Sequence, residues 1–265
     1  MRYNNPHLCH VTVEPPSALT PWSQQLVSRK YALDAWLSKT GKSGDVREFV
    51  TCFPRGWTPT WTTISPWTFS RAVLPFFDVA EKEHRANGKE RGVLWVEPSV
   101  VVGESGRWWP AALNDEKRKQ ALECCERQVA LFLETGEWSS SVGGTRVTDP
   151  HPRCLHIEPL GLYLANEGKN RVALYQELGL PMPSDVWSNG YIAPQRMALV
   201  QASDGWAVQL DEDETRAVRY CADIIVPMLM AYGVGTVRPR QPEAPQSEGQ
   251  ESGMFRGVLR TFIKR

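Results

Sequence analysis

The feature that most constrains the fold of this chain is a short segment that is apolar on both faces. Residues 160–165 read Leu-Gly-Leu-Tyr-Leu-Ala, with no alternation of polar and apolar side chains. Such a run is typical of an interior strand that is covered on both sides. It leads into a turn at 166–169 and a short helix at 170–178, which Gly179 closes. We therefore predict an α/β fold, with α+β as the alternative, in which helices surround a small mixed sheet.

The turn after this strand carries residue types that bind phosphate. Gly168 allows the backbone to approach an anion closely, and the helix that follows presents unpaired N–H groups and a partial positive charge. Lys169, Asn170 and Arg171 add a point charge, an amide and a bidentate guanidinium. Because short turns of this composition also occur without a ligand, an ordinary turn with surface Lys and Arg side chains is the alternative interpretation.

Further helices and strands are predicted from the spacing of apolar residues. The predicted helices span about 24–39, 68–87 with a kink at Pro75, and 115–134. The predicted strands are 93–96 and 100–102, which flank Glu97-Pro98, and a hairpin of Met197–Ala202 with Gly205–Leu210. Residues 139–154 are predicted to be a connection. The acidic run from Asp211 to Glu214 is predicted to open a helix, because negative charge is favourable at a helix start.

Composition divides the chain into four parts. Residues 1–92 are predicted to form a mostly helical, Trp-rich N-terminal extension, and residues 93–237 the core. Residues 238–253, rich in Pro, Gln, Glu, Ser and Gly, predict a disordered linker. Residues 254–265 carry basic but no acidic side chains and predict a short amphipathic tail. We expect this tail to contact an anionic membrane surface or an acidic groove on a partner protein.

The charge balance and the cysteines exclude two classes of protein. With 30 basic and 30 acidic side chains, the chain is not a strongly cationic nucleic-acid coat protein, although a local basic patch is compatible with this balance. The six cysteines are scattered and form no C-x-x-C pair, which argues against a disulfide scaffold and favours reduced thiols. No apolar run approaches the roughly 20 residues of a membrane span. We expect a cytoplasmic protein.

The tryptophan content has two interpretations. The chain contains 11 tryptophans, several of them clustered in the N-terminal third. Because indole rings bury a large area, rings that pack the core are the favoured interpretation. A surface on which nucleic-acid bases stack is the alternative.

The turn and its helix resemble a known superfamily. Residues 166–179, Asn-Glu-Gly-Lys-Asn-Arg-Val-Ala-Leu-Tyr-Gln-Glu-Leu-Gly, resemble ParB/sulfiredoxin proteins, which place a Gly-x-x-Arg turn between a strand and a helix that ends in Leu-Gly or Ala-Gly. The resemblance extends over about residues 93–190. Lys169 and Asn170 stand where sulfiredoxin has a cysteine and a histidine, so a sulfinic-acid reductase is not implied. The resemblance implies instead the ATP-hydrolysing and DNA-cleaving members, some of which are plasmid-encoded fertility inhibitors.

Phosphoryl transfer or nuclease chemistry also needs carboxylates that serve as a base or hold Mg²⁺. Glu167 lies beside the turn, Glu97 follows a predicted strand, and Asp115 opens a predicted helix. A helix cap is the commoner role for an Asp at such a position. These three acids are the candidate catalytic residues.

A weaker metal candidate lies just before the apolar strand. His151, Cys154 and His156 are all residue types that bind zinc. Their spacing matches no common zinc finger, and a fourth ligand is not evident. A strand in which His156 pairs within the sheet is the alternative interpretation.

Two functions of different classes follow. The first is a protein that binds ATP, another nucleotide or DNA, with Mg²⁺-dependent phosphohydrolase or nuclease activity, and that inhibits conjugative plasmid transfer. The second is a non-catalytic inhibitor or adaptor that uses the same fold to dock on a protein, such as a component of a secretion or conjugation apparatus.

Overall fold

The computed structural model describes residues 17–40, 65–84, 88–103, 115–135, 141–142, 145–146, 152–167, 169–203 and 205–237. The linker predicted at 238–253 and the tail predicted at 254–265 lie outside the described residues. Within the described ranges, no helix combines the length and apolar character that a membrane span requires.

The helices and strands follow one another in mixed order. The helices are α1 (Thr20–Thr40), α2 (Pro66–Val73), α3 (Phe77–His84), α4 (Asp115–Thr135), α5 (Lys169–Leu178) and α6 (Ala222–Tyr232). The strands are β1 (Lys89–Val96), β2 (Val101–Val102), β3 (Ser141–Val142), β4 (Thr145–Arg146), β5 (Arg153–Ile157), β6 (Leu162–Glu167), β7 (Met182–Asn189), β8 (Met197–Ala202), β9 (Gly205–Leu210), β10 (Glu214–Ala217) and β11 (Gly235–Val237). Short 3₁₀ turns occur at Pro98–Val100, Glu158–Leu160 and Pro194–Arg196.

The apolar segment forms β6, an interior strand of a five-stranded mixed sheet. The strand order is β1-β7-β5-β6-β2, and β6 runs antiparallel to β5 and parallel to β2. Its residues 162–165 are at most 5% exposed. The predicted strand buried on both faces is therefore confirmed, and so is the mixed α/β class.

The two faces of β6 contribute to two separate hydrophobic cores, because successive side chains of a strand point in opposite directions. Leu162 and Leu164 belong to a core that also contains residues of α1, α2, α3, α6 and the second sheet. Tyr163 and Ala165 belong to a core that contains residues of α4 and α5. The described N-terminal helices thus share one core with the C-terminal part of the chain.

The strand beside β6 extends into a segment that the sequence predicts to be a connection. Residues 139–154 are predicted to be irregular, but Arg153 and Cys154 begin β5. β5 pairs with β6 on one side and with β7 on the other. This part of the prediction is wrong because the two neighbouring strands supply the hydrogen bonds, and tertiary partners outweigh local composition in a sheet.

The second sheet confirms one prediction and corrects another. The predicted hairpin forms as β8 and β9, within the four-stranded order β10-β9-β8-β11. The predicted helix start at 211–214 is wrong, because Glu214 begins β10 and the helix α6 begins only at Ala222. Asp211 and Glu212 form the turn before β10, with φ of 50° and 68°. Arg196 contacts the Asp211 carboxylate at 2.6 Å, which helps to hold this turn.

The helix predicted at 68–87 with a kink is divided into two separate helices, α2 and α3. Pro75 separates α2 from α3, and Leu74 before it is extended. Phe76 has a φ of 60° and is fully buried, with the Arg216 guanidinium 4.5 Å from its ring centre. The Tyr191 hydroxyl donates a hydrogen bond to the Pro75 carbonyl. These contacts hold the break against β10 and against the segment that joins β7 to β8.

The turn before β6 generates a stability prediction. Gly161 has a left-handed φ of 58°, and an added Cβ would collide with the Ser17 hydroxyl. Gly179 has a similar φ of 63°, but nothing lies within 4 Å of an added Cβ. We expect Gly179→Ala to lose about 1 kcal/mol, the cost of a left-handed backbone, and Gly161→Ala to lose clearly more. Urea unfolding of both variants measures the difference. Equal losses would show that the added methyl group does not collide with Ser17.

Candidate functional site

The predicted phosphate turn lies where β6 leads into α5. Glu167, the last residue of β6, pairs with Arg153 of β5, and α5 begins at Lys169. Gly168 lies outside the described residues, and so do the side chains of Glu167, Lys169 and Asn170. The predicted order of strand, turn and helix is present, and the side chain of Arg171 is described.

The start of α5 is held in place by the core beneath it. Val172, Leu174 and Tyr175 are at most 2% exposed and pack with α4 and the sheet. The first turn of α5 contains no acidic residue. The partial positive charge of the helix start is therefore not neutralised by a carboxylate from its own first turn.

Arg171 lies half-buried on the side of α5 that faces α4. Burial raises the pKa of the Cys125 thiol to about 12, and the nearby Arg171 charge offsets part of this shift. Burial also raises the pKa of Tyr175 well above its usual range, again with a smaller opposing effect of Arg171. A cation in the first turn of a helix is unfavourable with respect to the helix dipole. Arg171 therefore adds positive charge at the same end of α5 as the partial positive charge of the helix dipole.

The structure does not bring the candidate acids together at the turn. Gln176, in the C-terminal half of α5, donates a hydrogen bond of 2.9 Å to the carbonyl of Pro98, so Glu97 lies near that half. Arg118 of α4 forms an ion pair of 2.6 Å with Glu177, which places the α4 start at Asp115 toward the same end. α5 has 10 residues, and a helix of that length is about 15 Å long. Glu167 is thus the acid of the three that adjoins the turn.

An open cleft of about 520 Å³ lies beside the turn, on one face of the five-stranded sheet. Its volume falls within the range of about 300–1,000 Å³ found for ligand pockets. The lining residues come from four strands of the sheet and from α2: Trp67, Glu90, Arg153, Cys154, Leu155, Asn166, Asp185 and Trp187. Asn166 is exposed and immediately precedes Glu167, the last residue of β6, so one lining residue of the cleft lies near the end of that strand.

This cleft is absent from the predictions made above, although β7 carries a signal for it. Along β7, Ser184 and Val186 are buried, whereas Asp185 and Trp187 are less so, and Trp187 is 45% exposed. The alternation places Asp185 and Trp187 on one open face. Arg153 lies opposite Asp185 in the neighbouring strand, and their charged groups are 3.7 Å apart.

The weak metal candidates lie in different surroundings. His151 is outside the described residues, and Cys154 is buried with a pKa raised to about 12 by that burial. The His156 ring stacks on Tyr163 with 4.1 Å between ring centres, and its Nδ1 atom lies 3.5 Å from a guanidinium nitrogen of Arg91. Among the described residues, no group of three or more His, Cys, Asp or Glu side chains is placed to hold a metal ion.

Comparison with known proteins adds no assignment. No protein-family model, no curated protein and no solved structure matches this chain.

The buried thiols generate a prediction about reactivity and pH. Cys125 and Cys154 are at most 3% exposed, whereas Cys124 is half-buried. We expect iodoacetamide at pH 8 to modify Cys124 faster than Cys125 or Cys154 in the native protein, and all three at similar rates in urea. Peptide mapping by mass spectrometry resolves the three sites. Fast native labelling of Cys154 would contradict its placement in the core.

The same thiols affect stability at alkaline pH. Because burial raises both pKa values from 9.0 to about 12, the unfolded chain releases these protons at a lower pH than the folded chain does. Their contribution to stability is present below pH 9 and is lost as the pH rises toward about 12. Replacing Cys154 with Ala should make the stability decline less steep over this range.

Proposed function

We propose that this protein binds a nucleotide, or a phosphate of a nucleic acid, at the turn between β6 and α5. The observation that supports this proposal best is Arg171, a cation held against the core in the first turn of a helix that carries no acid there. An anion at this turn would interact favourably with the helix start and with the guanidinium. Lys169 and Asn170 would add contacts from the same turn.

Hydrolysis is the reaction that we propose for this site. Glu167, Arg153 and Asp185 occupy one row across β6, β5 and β7. Arg153 lies between the two acids and pairs with Asp185 at 3.7 Å, so Glu167, which adjoins the turn, is the acid that we propose for activating water or for contributing to Mg²⁺ binding. Glu97 and Asp115 are left out of this proposal, because both lie toward the other end of α5. The proposed activity is that of a Mg²⁺-dependent phosphohydrolase or nuclease, as the resemblance to ParB/sulfiredoxin proteins also implies.

A protein-binding scaffold is the competing function, and exposed apolar side chains on the sheet support it. Val93 is 41% exposed and Trp187 is 45% exposed, and they lie on the neighbouring strands β1 and β7. An inhibitor or adaptor would use such a surface to contact a protein. Turnover of ATP or plasmid DNA that requires Mg²⁺ and stops on chelation would favour the enzyme. No turnover, together with tight binding of a protein, would favour the scaffold.

The phosphate site is tested by replacing Arg171. We expect Arg171→Ala to weaken ATP binding about 10- to 100-fold, because a charge-assisted bidentate contact is worth roughly 1.5–3 kcal/mol. Arg171→Lys should recover part of this loss, since an ammonium keeps the charge without the fork. Isothermal titration at one fixed salt concentration measures the affinities.

Arg118→Ala is the matched control for this experiment. It removes a cation from the same pair of helices, but its ion pair with Glu177 lies near the other end of α5. Its ATP affinity should equal that of the wild type, even if its melting temperature falls. Unchanged ATP affinity in folded Arg171→Ala would show that Arg171 serves only to pack α5 against α4.

A further inference from the structure

The open cleft occupies one face of the five-stranded sheet, over β1, β7 and β5. Residues that lie directly opposite each other in neighbouring strands project from the same face of a sheet. Glu90, Trp187 and Leu155 therefore form one row across β1, β7 and β5 on this face. α2 contacts the neighbouring strand β6 and contributes Trp67 as a wall of the cleft. Trp187 is 45% exposed, so its ring remains available to a ligand.

The charged groups beside Trp187 leave an excess of negative charge. In the next row of the same face, Val93, Asp185 and Arg153 lie opposite one another. The charged groups of Arg153 and Asp185 are 3.7 Å apart and partly offset each other. Among the described residues, Glu90 has no ion-pair partner. Of the described residues that line the cleft, two carry a carboxylate and one a guanidinium, so the cleft favours a cation.

The residue types around the cleft favour a guanidinium over an ammonium. A guanidinium is planar, so it stacks on the exposed indole of Trp187 while its edge donates hydrogen bonds to the Glu90 carboxylate. An ammonium is compact and more strongly hydrated, and it lacks the planar fork. The indole N–H of Trp67 donates a hydrogen bond of 3.3 Å to Glu81, which limits rotation of this second ring. The cleft therefore combines a stacking surface, an acidic acceptor and a fixed aromatic wall.

We propose that the cleft binds an arginine side chain of a partner protein, with the guanidinium stacked on Trp187 and paired with Glu90. The cleft, of about 520 Å³, is larger than one arginine side chain needs, and Val93, 41% exposed, lies beside it on the edge strand β1. These features provide room and apolar surface for the residues that flank the arginine in a peptide. The proposal does not depend on the phosphate site, because α5 packs on the opposite face of the sheet.

Titration with short peptides tests the charge and shape of the ligand. The probe is a peptide of alanine and serine with one central arginine, and two matched peptides carry lysine or citrulline at that position. We expect the arginine peptide to shift the indole N–H signal of Trp187 in NMR spectra and the lysine peptide to bind more weakly. Citrulline has nearly the same shape without the charge, so its peptide should bind least. Equal affinities for the arginine and citrulline peptides would overturn the proposal.

Variants of two cleft residues test where the peptide binds. Trp187→Ala should weaken binding of the arginine peptide about 2- to 30-fold, the range for a cation–π contact, and Trp187→Phe should retain part of the affinity. Glu90→Gln should weaken it about 1.5- to 5-fold, the range for an exposed ion pair. Glu123→Gln, which removes an exposed carboxylate from α4 on the other face of the sheet, should leave the affinity unchanged. Wild-type affinity in folded Trp187→Ala and Glu90→Gln would overturn the proposal.

The basic residues at 254–265 of the chain itself are the alternative occupant, and they are tested in the full chain. Replacement of Arg256 and Arg260 with Gln should leave the Trp187 signal of the protein without peptide unchanged. A shift of that signal, together with tighter binding of the arginine peptide, would place the tail in the cleft and overturn the assignment to a partner. Adenosine binding that depends on Trp187, without peptide binding, would also overturn the proposal.

Discussion

The structure depends on the burial of β6 on both faces. A strand whose Leu162, Tyr163 and Leu164 are all at most 5% exposed must be covered from two sides, and no single layer of helices can do this. The chain covers one face with α4 and α5 and the other with the N-terminal helices, α6 and the second sheet. The N-terminal helix α1 and the C-terminal helix α6 therefore pack into the same hydrophobic core.

This arrangement also fixes the two elements on either side of the proposed phosphate site. The end of β6 is fixed by its pairing with β5, and α5 is fixed by the buried residues Val172 and Tyr175. The turn between them is therefore held at both ends by buried structure. The helices on the other face of the sheet leave part of it open beside Asn166, and there the cleft forms.

The sequence predicts those features that depend on local patterns. The interior strand, the helix closed by Gly179 and the hairpin of β8 and β9 are read correctly, since each combines a periodic run with a turn residue. β5 is missed in part because its partners are distant in sequence, and the acidic run at 211–214 is misread because a turn and a helix start favour similar residues. The cleft could not be predicted, because it arises from side chains on four strands and one helix that only the sheet order brings together.

The most direct test of the central claim is a crystal structure of the full chain with a non-hydrolysable ATP analogue and Mg²⁺. We expect phosphate density at the start of α5, within hydrogen-bond distance of the Arg171 guanidinium. A phosphate group bound elsewhere, with the turn between β6 and α5 empty in a crystal that contains the analogue, would contradict it.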